Sequence, residues 1–303
     1  MKLPRGYTVG TATHTGRVRS GNEDDFLVGS TLGTGAADAP LLCAVADGMG
    51  GAAGGAEASR IALRALGSVV LDGASATPLE QRFALGFTLA SERVYAESAA
   101  VPALRDMGTT LTALCFDAGA VRIGHVGDSR AYRCRDGRCA QLTVDHALRE
   151  PDNLLLRCIG GGKDHSEVDH ATLPTSRGDR FVLLTDGVWS TVAAAELDRL
   201  TARGSPQQAA EALVAAALQA GGPDNATAVV VDVLAPGSGG AHDVDLPRDE
   251  RPSGRELWPK PFSLRPPLWP WLLWALALVL FAAAAVRWIA DVDVFAVVRG
   301  WFG

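Results

Sequence analysis

Lysine is scarce in this chain: only positions 2, 163 and 260 carry it among 28 basic residues, and 34 acidic residues leave a formal charge of −6. A basic surface of the kind that neutralises a phosphate backbone is therefore lacking, and nucleic acid is not an expected partner. Soft metal ligands are lacking too. The cysteines at 43, 115, 134, 139 and 158 form no Cys-x-x-Cys pair and no cluster with histidine, which excludes the usual zinc-site patterns. No apolar signal-peptide core follows Met1, so a reducing compartment with free thiols is expected. Cys134 and Cys139 flank Arg-Asp-Gly-Arg, a hairpin-turn sequence that would set them opposite one another, but reduced thiols remain the expectation there as well.

Tryptophan is nearly missing from the first 257 residues, where Trp189 stands alone, whereas Trp258, Trp269, Trp271, Trp274, Trp288 and Trp301 crowd the last 46. Charge divides in the same way. Residues 1–234 hold 27 acids against 21 bases and residues 235–303 hold seven of each. The chain is thus two segments of different character. In the first, apolar runs of strand length (Leu41–Ala46, Thr110–Phe116, Val121–Val126, Phe181–Leu184, Thr227–Val233) alternate with alanine-rich stretches of helical periodicity (Ala53–Leu71, Leu79–Ala99, Pro206–Ala220). Short turns between neighbouring runs predict antiparallel pairing and an α+β layered domain rather than a parallel doubly wound sheet.

From Ala235 to Pro267, seven prolines and four glycines without apolar periodicity predict an extended linker. Leu268–Val286 then runs 19 residues without a charge, and Arg287 can snorkel, so the apolar span reaches Ala290, long enough to cross a bilayer. Tryptophans at both ends match an interfacial belt. Arg251, Arg255, Lys260 and Arg265 before the span, against Arg287 and Arg299 after it, place the first segment on the cytoplasmic side. Residues 291–303 are left as a short far-side tail.

Aspartates recur at the ends of the apolar runs: Asp47-Gly48, Asp128-Ser129, Asp186-Gly187 and Asp224-Asn225, with Asn22-Glu23-Asp24-Asp25 near the start. A single Asp-Gly is an ordinary turn dipeptide. Several at equivalent strand ends are different, because the strands of one sandwich bring such carboxylates to one cleft, where they repel one another unless cations intervene. All-oxygen ligands suit hard ions such as Mg²⁺ or Mn²⁺.

The ordered set Arg19-Ser-Gly-Asn22-Glu23-Asp24, Asp47-Gly48-Met49-Gly50-Gly51, Met107-Gly108-Thr109-Thr110, Gly127-Asp128-Ser129-Arg130, Asp145-His146, Thr185-Asp186-Gly187 and Asp224-Asn225-Ala226-Thr227 resembles the metal-dependent serine/threonine phosphatases of the protein phosphatase 2C type, in their bacterial form. The resemblance implies a four-layer α-β-β-α sandwich of two antiparallel sheets over residues 5–234, to which the composition adds the linker (235–267), one transmembrane helix (268–290) and the tail (291–303). It also implies a two-ion Mn²⁺ or Mg²⁺ site with a third, weaker ion. Asp47 and the Gly48 carbonyl would be ligands, with Asp186, Asp224, Glu23 and Asp24 completing the shells and Asp128 serving the third ion. Arg19 would grip the substrate phosphate. Met49 stands where many eukaryotic relatives carry a histidine, so that position supplies no acid here, and His146 is expected to lie in the core or behind the ligands. After Asp145-His146, only Ala147–Leu156 precede Arg157-Cys158-Ile159-Gly160, a shorter flap than in the bacterial relatives, which implies a more open or differently gated site.

The expected function is a membrane-tethered phosphoprotein phosphatase acting on phosphoserine and phosphothreonine, with a serine/threonine kinase or its substrates as partners and the membrane bound through the C-terminal helix. Two alternatives stand beside it. One is a phosphatase of sigma-factor regulators. The other is a non-catalytic phosphoprotein-binding scaffold of the same fold, which calls for a broken metal shell, whereas Asp47, Asp186 and Asp224 are all in place.

Overall fold

The computed structural model describes residues 2–31, 39–50, 54–73, 75–148, 154–235 and 241–243. The chain divides into a unit of residues 1–253 and a second of 254–303. The expected membrane-spanning helix 268–290, the tail 291–303 and nearly all of the linker lie outside the described residues. Among the described residues, no helix is long and apolar enough to cross a membrane.

Two antiparallel sheets form the centre of the first unit. One runs in the order Ile159–Gly160, Gly108–Thr109, Leu41–Met49, Leu111–Asp117, Ala120–Val126, Asp169–Pro174, with Asp24–Ser30 also paired to Leu41–Met49. The other runs Tyr7–His14, Ala226–Val233, Arg180–Leu184, Arg130–Arg135, Arg138–Gln141. Helices Gly54–Val70 and Leu79–Ala100 cover the outer face of the first sheet, and Ala194–Thr201 and Pro206–Gln219 that of the second. The long apolar runs become the central strands because both of their faces are buried. Leu41, Cys43 and Val45 point between the sheets, where they meet Phe116, Phe181, Leu183 and Val229. Leu42, Ala44 and Ala46 point the other way, onto Ala58, Ala62, Leu66 and Phe87 of the helices. Phe116 and Phe181, one from each sheet, meet edge-on at 5.3 Å between ring centroids, with Tyr7 5.2 Å from Phe116. Each fully buried phenyl contributes about 2–3 kcal/mol.

Local signals agree with these elements. Ser205 accepts from the Gln208 N–H while the Gln208 side chain accepts from the Ser205 N–H, a capping box completed by Pro206 in the first turn of its helix. The Asp136-Gly137 turn sets Cys134 opposite Cys139, and the structure joins them as a disulfide with their Cα atoms 3.9 Å apart. This corrects the expectation of reduced thiols at that pair. The cause is register, since a two-residue turn leaves the two side chains on one face of a tight hairpin. Cys43, Cys115 and Cys158 are free. Within the expected linker, Ala241–Asp243 pairs antiparallel with Lys2–Pro4.

Candidate metal centre

The aspartates collect at one end of the sandwich because of where the strands stop. Asp47 continues the between-sheets side of Leu41, Cys43 and Val45, and the register places Asp24 directly opposite it. Asp128 lies in the turn by which the chain leaves Ala120–Val126 of one sheet and enters Arg130–Arg135 of the other. Asp186 opens a single helical turn, Asp186–Trp189, after Arg180–Leu184, and Asp224 precedes Ala226–Val233. Both glycines that follow aspartates at positions 48 and 187 serve close approach rather than turning. A Cβ on Gly48 would lie 2.1 Å from the Gly55 carbonyl oxygen, and one on Gly187 1.9 Å from that of Asn225.

Hydrogen bonds fix the ligand backbone. Thr110 Oγ1 accepts from the Asp47 N–H at 2.9 Å, and the Asp47 carbonyl accepts from the Thr110 N–H at 2.9 Å. Thr185 Oγ1 donates to Asp24 Oδ2 at 2.7 Å and accepts from the Thr227 N–H at 3.0 Å. Asn225, buried, ties the loop that carries Arg19 to the site. Its Nδ2 donates to the carbonyls of Thr15 (2.7 Å) and Gly21 (2.9 Å), and its Oδ1 accepts from the Glu23 N–H (2.7 Å). The roles of Asn225 and Thr185 were not foreseen. Both sit inside recognisable motifs, but only their burial reveals what the side chains hold.

The electrostatics are those of carboxylates crowded without enough positive charge. Burial, then the neighbouring Asp24, Asp186 and Asp128, push the Asp47 carboxyl well above the usual range, and it hydrogen-bonds to Asp186. Burial raises Asp24 to about 7, with Asp186 and Asp224 adding to the shift. Asp128 rises to about 6 through burial, Asp186 and Asp145. Burial followed by Asp224 raises Asp186, and burial raises Glu23. Arg19 answers part of this charge, its Nη2 standing 2.7 Å from Asp224 Oδ2 with both side chains partly exposed. The structure thus brings Glu23, Asp24, Asp47, Asp128, Asp186, Asp224 and Arg19 into one electrostatic cluster, with Gly48 next to Asp47 on the strand. His146 is buried beside the cluster and touches it through the Gly127 backbone.

Among the described residues, no three of these side chains already surround a single point as a closed coordination shell. The donor set nevertheless fits hard divalent cations. It is all oxygen, burial and then mutual repulsion raise the carboxyls of Asp24, Asp47, Asp128 and Asp186 above their ordinary range, and the fully buried Asp24 Oδ1 has no hydrogen-bond partner, a cost that a cation would remove.

Comparison with known proteins agrees with this composition. The protein phosphatase 2C family matches residues 16–234. The chain is 32% identical over 240 residues to the serine/threonine protein phosphatase PstP of Mycobacterium tuberculosis, covering 72% of this chain and 43% of that protein. It therefore spans under half the length of that relative. It is also 32% identical over 244 residues to the serine/threonine phosphatase stp of Listeria welshimeri, covering 73% of this chain and 93% of the other. A crystal structure of the PstP catalytic domain in complex with two manganese ions superposes with a TM-score of 0.66 at 30% identity, over 76% of this chain and 99% of that one.

Proposed function

Because the chain belongs to the protein phosphatase 2C family, we propose that it is a Mn²⁺- or Mg²⁺-dependent phosphatase of phosphoserine and phosphothreonine in proteins. The observation that carries this reading is the buried Asp24–Asp47–Asp186 group, whose carboxyls burial and mutual repulsion push above their ordinary range. Asp47 and the Gly48 carbonyl, with Asp186, Asp224, Glu23 and Asp24, would hold two ions, and Asp128 a third.

When bound, such cations supply a water of lowered pKa as nucleophile and stabilise charge on the phosphoryl oxygens. The chain's own residues do the rest. Thr185 donates to Asp24 Oδ2 and so fixes that carboxyl at the strand end. Asn225 fixes the loop from Thr15 to Glu23, and so sets where Arg19 emerges. The Arg19 guanidinium, about half exposed at the cluster's rim, offers a planar fork matched to two phosphate oxygens, which an ammonium would not. No serine or cysteine nucleophile is required. Met49 has no ionisable group, so it does not serve as the acid for the leaving oxygen.

The residues beyond 234 are read as a tether: linker 235–267, membrane-spanning helix 268–290 and tail 291–303, with the catalytic domain, residues 5–234, on the cytoplasmic side. The uncharged 19-residue run and its flanking tryptophans support this. Tethering directs the site to phosphoproteins at the membrane, a serine/threonine kinase or its substrates among them. Two measurements on the full chain test the reading. Phosphate release from a phosphothreonine peptide must require Mn²⁺ or Mg²⁺ and vanish in EDTA, and the protein must stay with membranes after an alkaline wash. Turnover in EDTA overturns the metal reading, and release by the wash overturns the tether.

A further inference from the structure

The turn Gly127-Asp128-Ser129-Arg130 is gripped at both ends by two consecutive residues, Asp145 and His146. The His146 N–H donates to the Gly127 carbonyl at 2.7 Å, and the Gly127 N–H donates back to His146 Nδ1 at 3.2 Å. Arg130 sends Nε to Asp145 Oδ1 (2.9 Å) and Nη2 to Asp145 Oδ2 (2.8 Å), a forked pair almost out of solvent. Between these grips, Ser129 Oγ lies 2.7 Å from Thr110 Oγ1, and the Ser129 carbonyl accepts from Thr112 Oγ1 at 3.0 Å. Gly127 sits at φ +111°, and a Cβ there would strike the Thr110 side chain at 2.6 Å. Its backbone is therefore in a region that most residues avoid, and its two hydrogen bonds to His146 hold it there.

The imidazole is itself held in one orientation. A ring accepting at Nδ1 carries its proton on Nε2, and Nε2 stands 3.0 Å from Asp169 Oδ2. Arg157 Nη1 lies 3.4 Å from the same nitrogen and donates to Asp169 Oδ1 at 3.1 Å. The His125 ring packs 4.7 Å away and is fixed by Thr112 Oγ1 (2.9 Å) and the Val144 carbonyl (3.1 Å).

We propose that Asp145 and His146 form a clasp that presets the Asp128 carboxylate for a divalent cation, with His146 as a positioning residue acting through the Gly127 backbone. The inference rests on the reading of Asp128 as a metal ligand. The physical reason is preorganisation. A turn already fixed loses little freedom when the ion binds, whereas a loosened one must be ordered at the ion's expense, and removing such supporting partners typically costs 10–100-fold in metal affinity.

The test uses the full chain, with Mn²⁺ binding followed by calorimetry and hydrogen exchange at the Gly127 amide measured in EDTA. His146→Leu is expected to weaken the loosest Mn²⁺ by about 10–100-fold and to speed Gly127 exchange. His146→Asn, whose side-chain oxygen reaches the Nδ1 position, is expected to stay near the parent in both. His146→Gln, which reaches Asp169 but not Gly127, should behave like His146→Leu, and it decides the matter if the leucine variant does not fold. Unchanged Gly127 exchange in the leucine and glutamine variants, or equal losses in the asparagine and glutamine variants, overturns the clasp. An Asp128→Asn variant with undiminished Mn²⁺ affinity overturns the ligand reading instead, and the exchange comparison still judges the clasp.

Discussion

Replacing Asp24 by asparagine separates what the metal-free fold suffers from what the site is built for. In the absence of cations, burial holds the Asp24 carboxyl at about 7, against 3.8 in a solvated reference. A carboxyl raised on folding stabilises the fold fully below its unfolded pKa and loses that contribution as pH rises through the folded one. The shift is about three units, which at 1.36 kcal/mol each makes about 4 kcal/mol lost by pH 8. Some of this is already gone at pH 5, so about 3 kcal/mol remains to be lost between pH 5 and pH 8. Asparagine cannot ionise, still accepts from Thr185 through its oxygen, and sets an amide where Oδ1 lacks a partner. The stability advantage of Asp24→Asn over the parent in EDTA is therefore expected to grow by about 3 kcal/mol from pH 5 to pH 8. Urea unfolding followed by circular dichroism at the two pH values measures it. With Mn²⁺ at about a hundred times its Kd, the parent should gain about 2.7 kcal/mol, and the variant much less. An advantage that is the same at both pH values would refute the reasoning, because it would mean that folding does not raise the Asp24 pKa.

Arg19→Ala should lower kcat/KM on a phosphothreonine peptide by about 100-fold, about 2.7 kcal/mol of transition-state binding. Mn²⁺ affinity should hold or improve, because Asp224 loses the guanidinium that competes for it. A matching fall in Mn²⁺ affinity would instead make Arg19 a structural support of the ligands. Gly187→Ala places a methyl 1.9 Å from the Asn225 carbonyl oxygen and should cost about 3 kcal/mol or more in thermal unfolding, with turnover falling in step. Stability within about 0.5 kcal/mol of the parent would contradict the close packing of these two backbone segments.

The central strands were legible because burial on both faces leaves no polar alternation. Leu41–Ala46 and Phe181–Leu184 read as uninterrupted apolar runs, and the alanine-rich helices that cover them kept their periodicity. Asp169–Pro174 was not legible. It is an edge strand, largely exposed, whose polar sequence resembles a loop. The carboxylate cluster could be read from aspartates repeating at strand ends, but the glycines beside them were understood as turn formers, and Gly48 also as a carbonyl ligand, not as sites of close backbone approach. At positions 48 and 187 the structure gives a different cause, a neighbouring backbone lying too close for any side chain. Asn225 was hidden for another reason. An asparagine before a strand reads as a turn residue, and only its bonds to Thr15, Gly21 and Glu23 show that it carries the loop on which Arg19 stands. The Cys134–Cys139 disulfide followed from a turn that was recognised, while compartment reasoning pointed the other way.

The central claim is that Asp47 and its neighbours hold the cations by which the chain cleaves phosphate esters. The most direct measurement titrates metal-free full-length protein with Mn²⁺ while ions bound and phosphate released from a phosphothreonine peptide are counted in the same sample. Turnover is expected to appear as the second ion binds, and Asp47→Asn is expected to lose both tight ions and the turnover together. Phosphate release before any ion binds, or undiminished release by Asp47→Asn, would contradict the account.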